Sequence, residues 1–311
     1  MKAHHFLLVV LANIWLCAGL ANAARITLTE SEWQILRSCE ATIRFDGEIK
    51  AGDLDVLKSL VDKTCNKVKK NTEGYIEYKL LLNSDGGDVS AALEIGRFIR
   101  NLSLPPTSAH FGVILGRNDR CNSSCVFLIA AGPSRRISGK VGIHRPYLVQ
   151  INSNLSAADI GRIRSEQIRL IKAYLAEMDV PESLLDAMLS IPPEEMKILS
   201  ESELKQYRIF HDDANFEEKR TAENAKEWYL TSAEYRKRDA EKNKTCGLPI
   251  YVTDHSTYSL CEKLTMLNIS EAELKKRESK ARSACLHLRS KVNNEVNTDY
   301  WMCRNKIRAG K

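Results

Sequence analysis

Three features that define common classes of protein are missing from the sequence. No two cysteines have the CxxC spacing of a structural zinc site, so no metal site is expected. Basic residues are spread along the chain among acidic ones, which argues against a nucleic-acid partner. After the first residues no uncharged apolar run approaches the length of a membrane span, and no internal repeat or low-complexity tract occurs.

The first 23 residues form a distinct segment. Lys2 is followed by an uncharged apolar run at 6–20 and by Ala21-Asn22-Ala23, a small-x-small cleavage pattern. A membrane anchor is the alternative, but the run is shorter than the ~20 residues of a spanning helix. We predict a signal peptide at 1–23 and a periplasmic or secreted protein with no stable membrane span after cleavage.

Eight of the nine cysteines remain once residues 1–23 are removed. In an exported protein an even number of cysteines indicates disulfide bonds rather than a zinc site, because the compartment is oxidising. Four of them follow a stretch that is dense in Glu, Lys and Arg. We predict a main domain at 24–215, a charged helical linker at 216–245 and a helical, cysteine-rich module at 246–311 that disulfides hold together.

The main domain alternates between strand-like and helix-like segments. Strand patterns occur at 41–49, 75–82, 110–115 and 140–143. Helical patterns lie between and after them, at 54–61, 89–99, 124–131, 157–178 and 181–189, and a capped helix start follows at 200–203. This order predicts an α/β fold whose largely parallel sheet is covered on both faces by flanking helices, with functional groups at the strand-to-helix turns.

Three of these turns carry residues suited to acyl transfer. Ser123 precedes a helix N-terminus, which favours negative charge and leaves the amide of Ser124 free. Gly86 and Gly87 end another strand, and without Cβ atoms their backbone can approach a bound carbonyl closely. His144 ends a third strand and could accept the serine proton. Taken alone, a serine at a helix start is usually a cap, a glycine pair is usually a turn and a single histidine is usually structural. The hypothesis of acyl transfer therefore depends on the three features occurring together.

The three motifs resemble, in the same order, those of the Clp-type serine proteases. Residues 83–87 (NSDGG) resemble the family's N-S-P-G-G turn, 123–132 (SSCVFLIAAG) its nucleophile helix, and 141–146 (VGIHRP) its M-I-H-Q-P strand. The similarity covers about residues 40–210, and it is strongest to exported ClpP-like proteins that share a Cys-x-Ser-x-Cys box.

The resemblance implies a ClpP/crotonase-like fold and assigns roles to individual residues. Ser123 would be the nucleophile, because it has the family's spacing to the glycine that ends the helix. His144 would be the base. The amides of Gly87 and Ser124 would be the oxyanion donors, with Gly86 in the substrate-binding turn.

The sequence departs from the family in two places. The loop at 132–144 is shorter than the corresponding loop of the cytosolic protease. Residues 197–200 (KILS) align with the family's R-F-L-S, and this alignment puts Met196 at the position of the family's catalytic acid. Four carboxylates are nearby without matching by motif, namely Glu194, Glu195, Asp212 and Asp213. A Ser-His dyad, its imidazole held by a backbone carbonyl or a water, would still be workable though weaker.

Two functions follow from these observations. The first is a serine hydrolase, most simply a peptidase, that forms an acyl-enzyme on Ser123. The second is a non-catalytic ClpP-fold module that binds peptides or proteins, which Met196 favours. The crotonase branch of the superfamily acts on acyl-coenzyme A, which an exported protein would not meet, so no cofactor is expected. The resemblance also allows a homo-oligomer, because proteins of this fold commonly oligomerise, but it does not fix the number of subunits.

Two further expectations concern the surroundings of the serine. Cys121 and Cys125 flank Ser123, and we predict a disulfide between them, because Cys121 lies in the loop before the helix and the chain can turn back there. Two small buried apolar residues are the alternative. At Gly87 a valine is expected to impair turnover more than folding.

Overall fold

A computed structural model describes residues 24–33, 38–65, 75–104, 109–147, 156–247, 255–288 and 298–311. The predicted signal peptide at 1–23 lies outside these residues and stays a prediction. Within the described ranges, no helix is both long enough and apolar enough to span a membrane.

The main domain is built on a five-stranded mixed sheet. Its strands are β1 (Arg25–Trp33), β2 (Ser38–Asp46), β3 (Tyr75–Asn83), β4 (Ala109–Leu115) and β6 (Ser134–Ile137), and they lie side by side in that order. Strands β2, β3, β4 and β6 pair in parallel, and only β1 pairs antiparallel, with β2. The largely parallel α/β architecture that the sequence predicts is therefore confirmed.

The sheet is buried on one face, so the expectation of cover on both faces is wrong. Alternate residues of β2, β3 and β4 are buried, such as Ile43, Leu80 and Val113, while the residues between them are half exposed. On the open face Lys79 Nζ lies 2.6 Å from Glu40 Oε2. Burial alternates with a period of two residues along these strands, and several of the half-exposed residues, such as Arg44, Glu77 and Lys79, are charged, as expected for a sheet with one solvated face.

A second sheet of three short strands meets the end of the first. Strand β5 (Arg120–Asn122) pairs in parallel with β7 (Lys140–Ile143), which pairs antiparallel with β8 (Lys197–Ile198). A bridge between Ser84 and Cys121 joins β5 to the end of β3. The carboxyl ends of β3, β5 and β7 consequently meet in one place.

Helices cover the buried face of the sheet. They are α1 (Asp53–Lys63), α2 (Val89–Leu102), α3 (Cys125–Ala131), α4 (Ala157–Glu177), α5 (Ser183–Ser190) and α6 (Glu201–Gln206). Helix α3 is buried at every residue, because it is apolar all round and packs against α2. The predicted helix start at Ser200 is confirmed: its Oγ accepts from the backbone N of Glu203, whose carboxylate accepts from Ser200 N in return.

The remaining helices are charged and bury little. They are α7 (Ala214–Glu227), α8 (Ser232–Cys246), α9 (His255–Leu267), α10 (Glu271–Ala284) and α11 (Thr298–Arg308). Disulfides Cys246–Cys261 and Cys285–Cys303 link α8 to α9 and the end of α10 to α11. The stretch predicted as a charged linker thus contains two helices, and the cysteine-rich segment is helical and disulfide-bonded as expected. The domain boundaries themselves stay a prediction.

Candidate active site

Ser123 lies in a sharp turn between strand β5 and helix α3. Its backbone has φ 54°, a left-handed conformation that is uncommon for a residue with a side chain. Ser123 N donates to Gly142 O at 2.9 Å, and Ser123 O accepts from Val126 N at 3.1 Å. The turn is held on both sides, and a strained strand-to-helix turn also carries the nucleophilic serine of α/β-hydrolases.

Ser124 connects this turn to the double-glycine turn. It occupies the N-cap position of α3, and its Oγ donates to Gly87 O at 3.1 Å. Because the hydroxyl hydrogen-bonds outside its own helix, the Ser124 side chain joins the two turns directly. The sequence motif assigns Ser124 a backbone role only, and nothing in the pattern signals this side-chain contact.

Gly86 and Gly87 both have positive φ, at 100° and 140°. A Cβ atom on Gly86 would lie 2.7 Å from Ser123 Cβ, so only glycine allows the turn to touch the serine. A Cβ atom on Gly87 would overlap Ile49 O and lie 2.8 Å from Ile49 N. A valine at Gly87 would collide with neighbouring backbone and should therefore impair folding as well, so the expectation that it impairs turnover more than folding stays a prediction.

The two predicted oxyanion donors are free. In the part of the chain that the structure describes, neither Gly87 N nor Ser124 N donates a hydrogen bond, whereas Gly86 O accepts from Ile49 N at 2.8 Å. A Cβ atom on Gly86 would also lie 3.2 Å from Ser124 N, so the glycine turn packs against that amide. Two unpaired N–H groups at the ends of adjacent elements are suited to hold a developing negative charge.

His144 follows strand β7 and is 6% exposed. Its Nδ1 lies 2.9 Å from Pro193 O. A carbonyl oxygen can only accept a hydrogen bond, so this contact assigns the proton to Nδ1 and leaves the lone pair on Nε2. The expected backbone carbonyl is thus present, and the tautomer is the one that a general base requires.

No hydrogen bond joins His144 to Ser123 within the described ranges. Their strands are adjacent, because Asn122 pairs with Gly142 in the parallel ladder between β5 and β7. Serine and histidine therefore follow the carboxyl ends of neighbouring strands. In enzymes without bound substrate the hydrogen bond between nucleophile and base is often long or poorly aligned.

Met196, which the resemblance puts at the position of the acid, lies opposite His144. Ile143 pairs with Lys197 in the antiparallel ladder between β7 and β8, so the next pair in that register is His144 opposite Met196. The thioether lies over β7, since a Cβ atom on Gly142 would come 2.7 Å from Met196 Sδ. A thioether cannot replace a carboxylate as an acceptor for an imidazole proton.

The four nearby carboxylates have other positions or partners. Asp213 caps α7 and lies 2.5 Å from Arg100 Nη2, and Asp212 Oδ1 accepts from Arg135 N at 2.9 Å. Glu194 and Glu195 are exposed, and no hydrogen bond to His144 is made by either. Among the described residues, the Pro193 carbonyl is the hydrogen-bond partner of the imidazole, and the ring of Tyr147 packs edge-on against it with the ring centroids 5.6 Å apart.

The predicted disulfide beside the serine is confirmed. Cys121 and Cys125 are bonded with a Cα–Cα distance of 5.2 Å, and both are fully buried. The bond spans the turn that contains Ser123 and ties the end of β5 to the first residue of α3. It restricts the movement of one element relative to the other at the serine.

Arg135 supports the other end of helix α3. Its guanidinium donates to Ile129 O at 3.1 Å, to Ala130 O at 2.7 Å and to Arg208 O at 2.5 Å. These carbonyls belong to the last turn of α3 and to the segment after α6, and Ile129 O also accepts from Gly132 N at 3.1 Å. Burial lowers the pKa of Arg135 to about 10. The basic dipeptide at 135–136 carries no sign in the sequence that one of its arginines is buried.

No model of a known protein family matches the chain, and no curated protein does either. Within the described ranges, no cluster of three or more His, Cys, Asp or Glu side chains is arranged to hold a metal ion. The resemblance to the Clp-type proteases therefore rests on the three sequence motifs and stays a prediction.

Proposed function

We propose that the protein is a periplasmic or secreted serine hydrolase of the ClpP/crotonase type, acting on peptides or proteins. The observation that carries the proposal is the turn at Ser123. A left-handed serine stands at the N-terminus of a buried helix, between two backbone N–H groups that have no partner in the described structure. The four disulfides support export to an oxidising compartment.

The reaction uses the groups in the following way. Ser123 Oγ attacks the carbonyl carbon of the substrate, its proton passes to His144 Nε2, and the carbonyl electrons move to oxygen. The N–H groups of Gly87 and Ser124 hold that oxyanion. When the tetrahedral intermediate collapses, the leaving amine takes the proton from His144 and an ester on Ser123 remains. Water then cleaves the ester by the same route, with His144 again as base.

The Pro193 carbonyl has the orienting role that a carboxylate has in a triad. It fixes the tautomer of His144, which is the part of the acid's task that geometry alone can fulfil. It carries no formal charge, so it stabilises the imidazolium less than an aspartate would. We expect turnover to be slow relative to complete triads.

The second candidate is a module that binds peptides or proteins without cleaving them. Met196 favours it, because the register places a thioether opposite His144. Such a module would keep the free amides of Gly87 and Ser124 as hydrogen-bond donors for a bound carbonyl. It would not need a nucleophile at Ser123.

A fluorophosphonate probe, which reacts covalently with activated serines, separates the two functions. We expect the wild-type protein to be labelled and Ser123→Ala not to be. Ser165→Ala is the matched control, because Ser165 is exposed on helix α4 and its hydroxyl donates only to Gly161 O. Absence of labelling in the folded wild-type protein would favour the binding module and remove the hydrolase.

A further inference from the structure

The residue before the two glycines, Asp85, makes a set of contacts that the proposed chemistry does not use. Its two carboxylate oxygens lie 2.5 Å from Arg120 Nε and 2.6 Å from Arg120 Nη2. Asn122 Nδ2 donates to Asp85 Oδ1 at 3.0 Å. The resemblance places a proline at this position, so the carboxylate is a feature of this chain.

These contacts join the two halves of the proposed oxyanion hole. Asp85 belongs to the turn that carries the Gly87 amide, whereas Arg120 and Asn122 form the ends of strand β5, which leads directly to Ser123. In the described structure the backbone hydrogen bonds between these two segments are made by Ser84, whose N donates to Arg120 O at 2.8 Å and whose O accepts from Asn122 N at 3.0 Å, and Asn83 Oδ1 accepts from Arg120 N at 3.3 Å.

The glycines need such a restraint. Both have positive φ, and a glycine has more backbone conformations open to it than any other residue. Ser84 Oγ accepts from Gly86 N at 3.1 Å, Ser124 Oγ donates to Gly87 O, and Gly86 O accepts from Ile49 N, but none of these three contacts is made with strand β5. The Asp85 contacts act on the outer side of the turn.

The ion pair is too exposed to matter much for folding. The side chains of Arg120 and Asp85 are 54% and 61% exposed, and ion pairs of this exposure contribute little to global stability. The hydrogen bond from Arg120 lowers the pKa of Asp85, so the carboxylate is ionised at neutral pH. A bidentate contact adds geometric specificity even where it adds little stability.

We propose that Asp85 is a positioning residue, which fixes the Gly87 amide relative to the Ser123 turn through Arg120 and Asn122. The inference rests on the proposed function. Small misplacements of reacting or stabilising groups reduce rates steeply, by ~100-fold for about 1 Å. Loss of the Asp85 contacts should therefore slow the chemistry while the fold persists.

The test compares the rate of fluorophosphonate labelling with the fraction of protein labelled at completion. In Asp85→Ala we expect the second-order rate constant of labelling to fall about tenfold, which is less than the ~100-fold loss for a misplacement of about 1 Å. The labelled fraction at completion and the Tm should not change. Asp85→Asn, which keeps an acceptor for Arg120 and Asn122, should be intermediate. Arg120→Ala removes the partner of Asp85 on strand β5, and its rate of labelling should fall by about as much as that of Asp85→Ala.

Glu166→Ala is the matched control, because Arg169 contacts Glu166 in the same bidentate way on the exposed surface of α4. It should be labelled at the wild-type rate. If Asp85→Ala also reacts at that rate, the positioning role is overturned and the proposed hydrolase stands. If rate, labelled fraction and Tm fall together, Asp85 is a structural residue and the inference is overturned as well. A wild-type protein that is not labelled at all overturns the proposed function and this inference with it.

Discussion

The α/β domain and the C-terminal helices are held together in different ways. The apolar core runs continuously from Cys39 to Ile209, and all seven residues of helix α3 belong to it. Beyond it, helix α8 buries no residue, and α10 buries only Leu274 and Ala281. The first region is stabilised by burial of apolar surface, whereas the second relies on its two disulfides and on ion pairs along the helices.

This difference has a consequence for the site. Every group of the proposed chemistry lies in the first region, at the ends of β3, β5 and β7. Well-packed cores hold side chains in single conformations. The C-terminal helices, with little buried surface, are expected to unfold locally without disturbing these groups.

The largest loss of stability in the α/β domain is expected from substitution of Arg135. Arg135→Ala leaves the carbonyls of Ala130 and Arg208 without the guanidinium as donor, and it removes a buried cation that lies 3.6 Å from the Asp213 carboxylate. We expect a loss of about 3–5 kcal/mol in the free energy of unfolding, the range for losing one partner of a buried charged network. Urea unfolding followed by circular dichroism measures it. Arg169→Ala, at an exposed site on α4, should change stability by less than ~0.5 kcal/mol, and an equal loss there would contradict the explanation.

Removal of Cys285–Cys303 should break the other region alone. The bond closes a loop of 18 residues, for which loop-closure entropy predicts about 3 kcal/mol. In Cys285→Ala with Cys303→Ala, amide hydrogen exchange should rise in α10 and α11 and stay slow in β2, β3 and β4. Faster exchange in the sheet as well would show that the two regions are one cooperative unit.

The disulfide at the serine should have a smaller effect on stability and a larger one on reactivity. Cys121 and Cys125 are only four residues apart, and the same entropy argument gives about 2 kcal/mol. We expect Cys121→Ala with Cys125→Ala to fold, and to react more slowly with the fluorophosphonate because the serine turn is less restricted. An unchanged rate would mean that packing of α3 alone positions the serine.

The smallest expected effect concerns the backbone of Ser123. At φ 54° a residue with a Cβ atom is strained, so Ser123→Gly should be more stable than Ser123→Ala by about 1 kcal/mol. The same two substitutions at Ser165, inside helix α4, should differ by about 1 kcal/mol in the opposite direction, because glycine disfavours a helix interior. Denaturant midpoints of the four variants decide it. The same sign at both sites would exclude strain at Ser123.

The parts of the site that were predictable from sequence are those that depend on local backbone chemistry. The glycine turn, the helix after Ser123 and the capping box at Ser200 each leave a short pattern in the chain. The strand patterns also located β2, β3, β4 and β7. Local geometry restricts which residue types are tolerated there, so the pattern is specific.

The parts that were not predictable depend on contacts between distant segments. Pro193 O and His144 are 49 residues apart, and any residue can supply a carbonyl, so the sequence carries no trace of this contact. Strand β1 is not among the strands predicted from the sequence. In the structure its residues 25–29 alternate in exposure, as in an edge strand. Glu77 and Lys79 in alternate positions of β3 are typical of a solvated face, whereas the alternation of strands and helices along the chain predicts cover on both faces.

The Pro193 carbonyl also sets how long each catalytic cycle of the proposed enzyme would last. A carbonyl does not titrate, so it keeps the proton on Nδ1 over the whole range in which the protein is folded. Without a carboxylate opposite the imidazole, activation of water against the Ser123 ester is weak. Attack by Ser123 uses the same imidazole, so formation and hydrolysis of the ester should both be slow, and each substrate molecule would occupy the site for longer than in an enzyme with a complete triad.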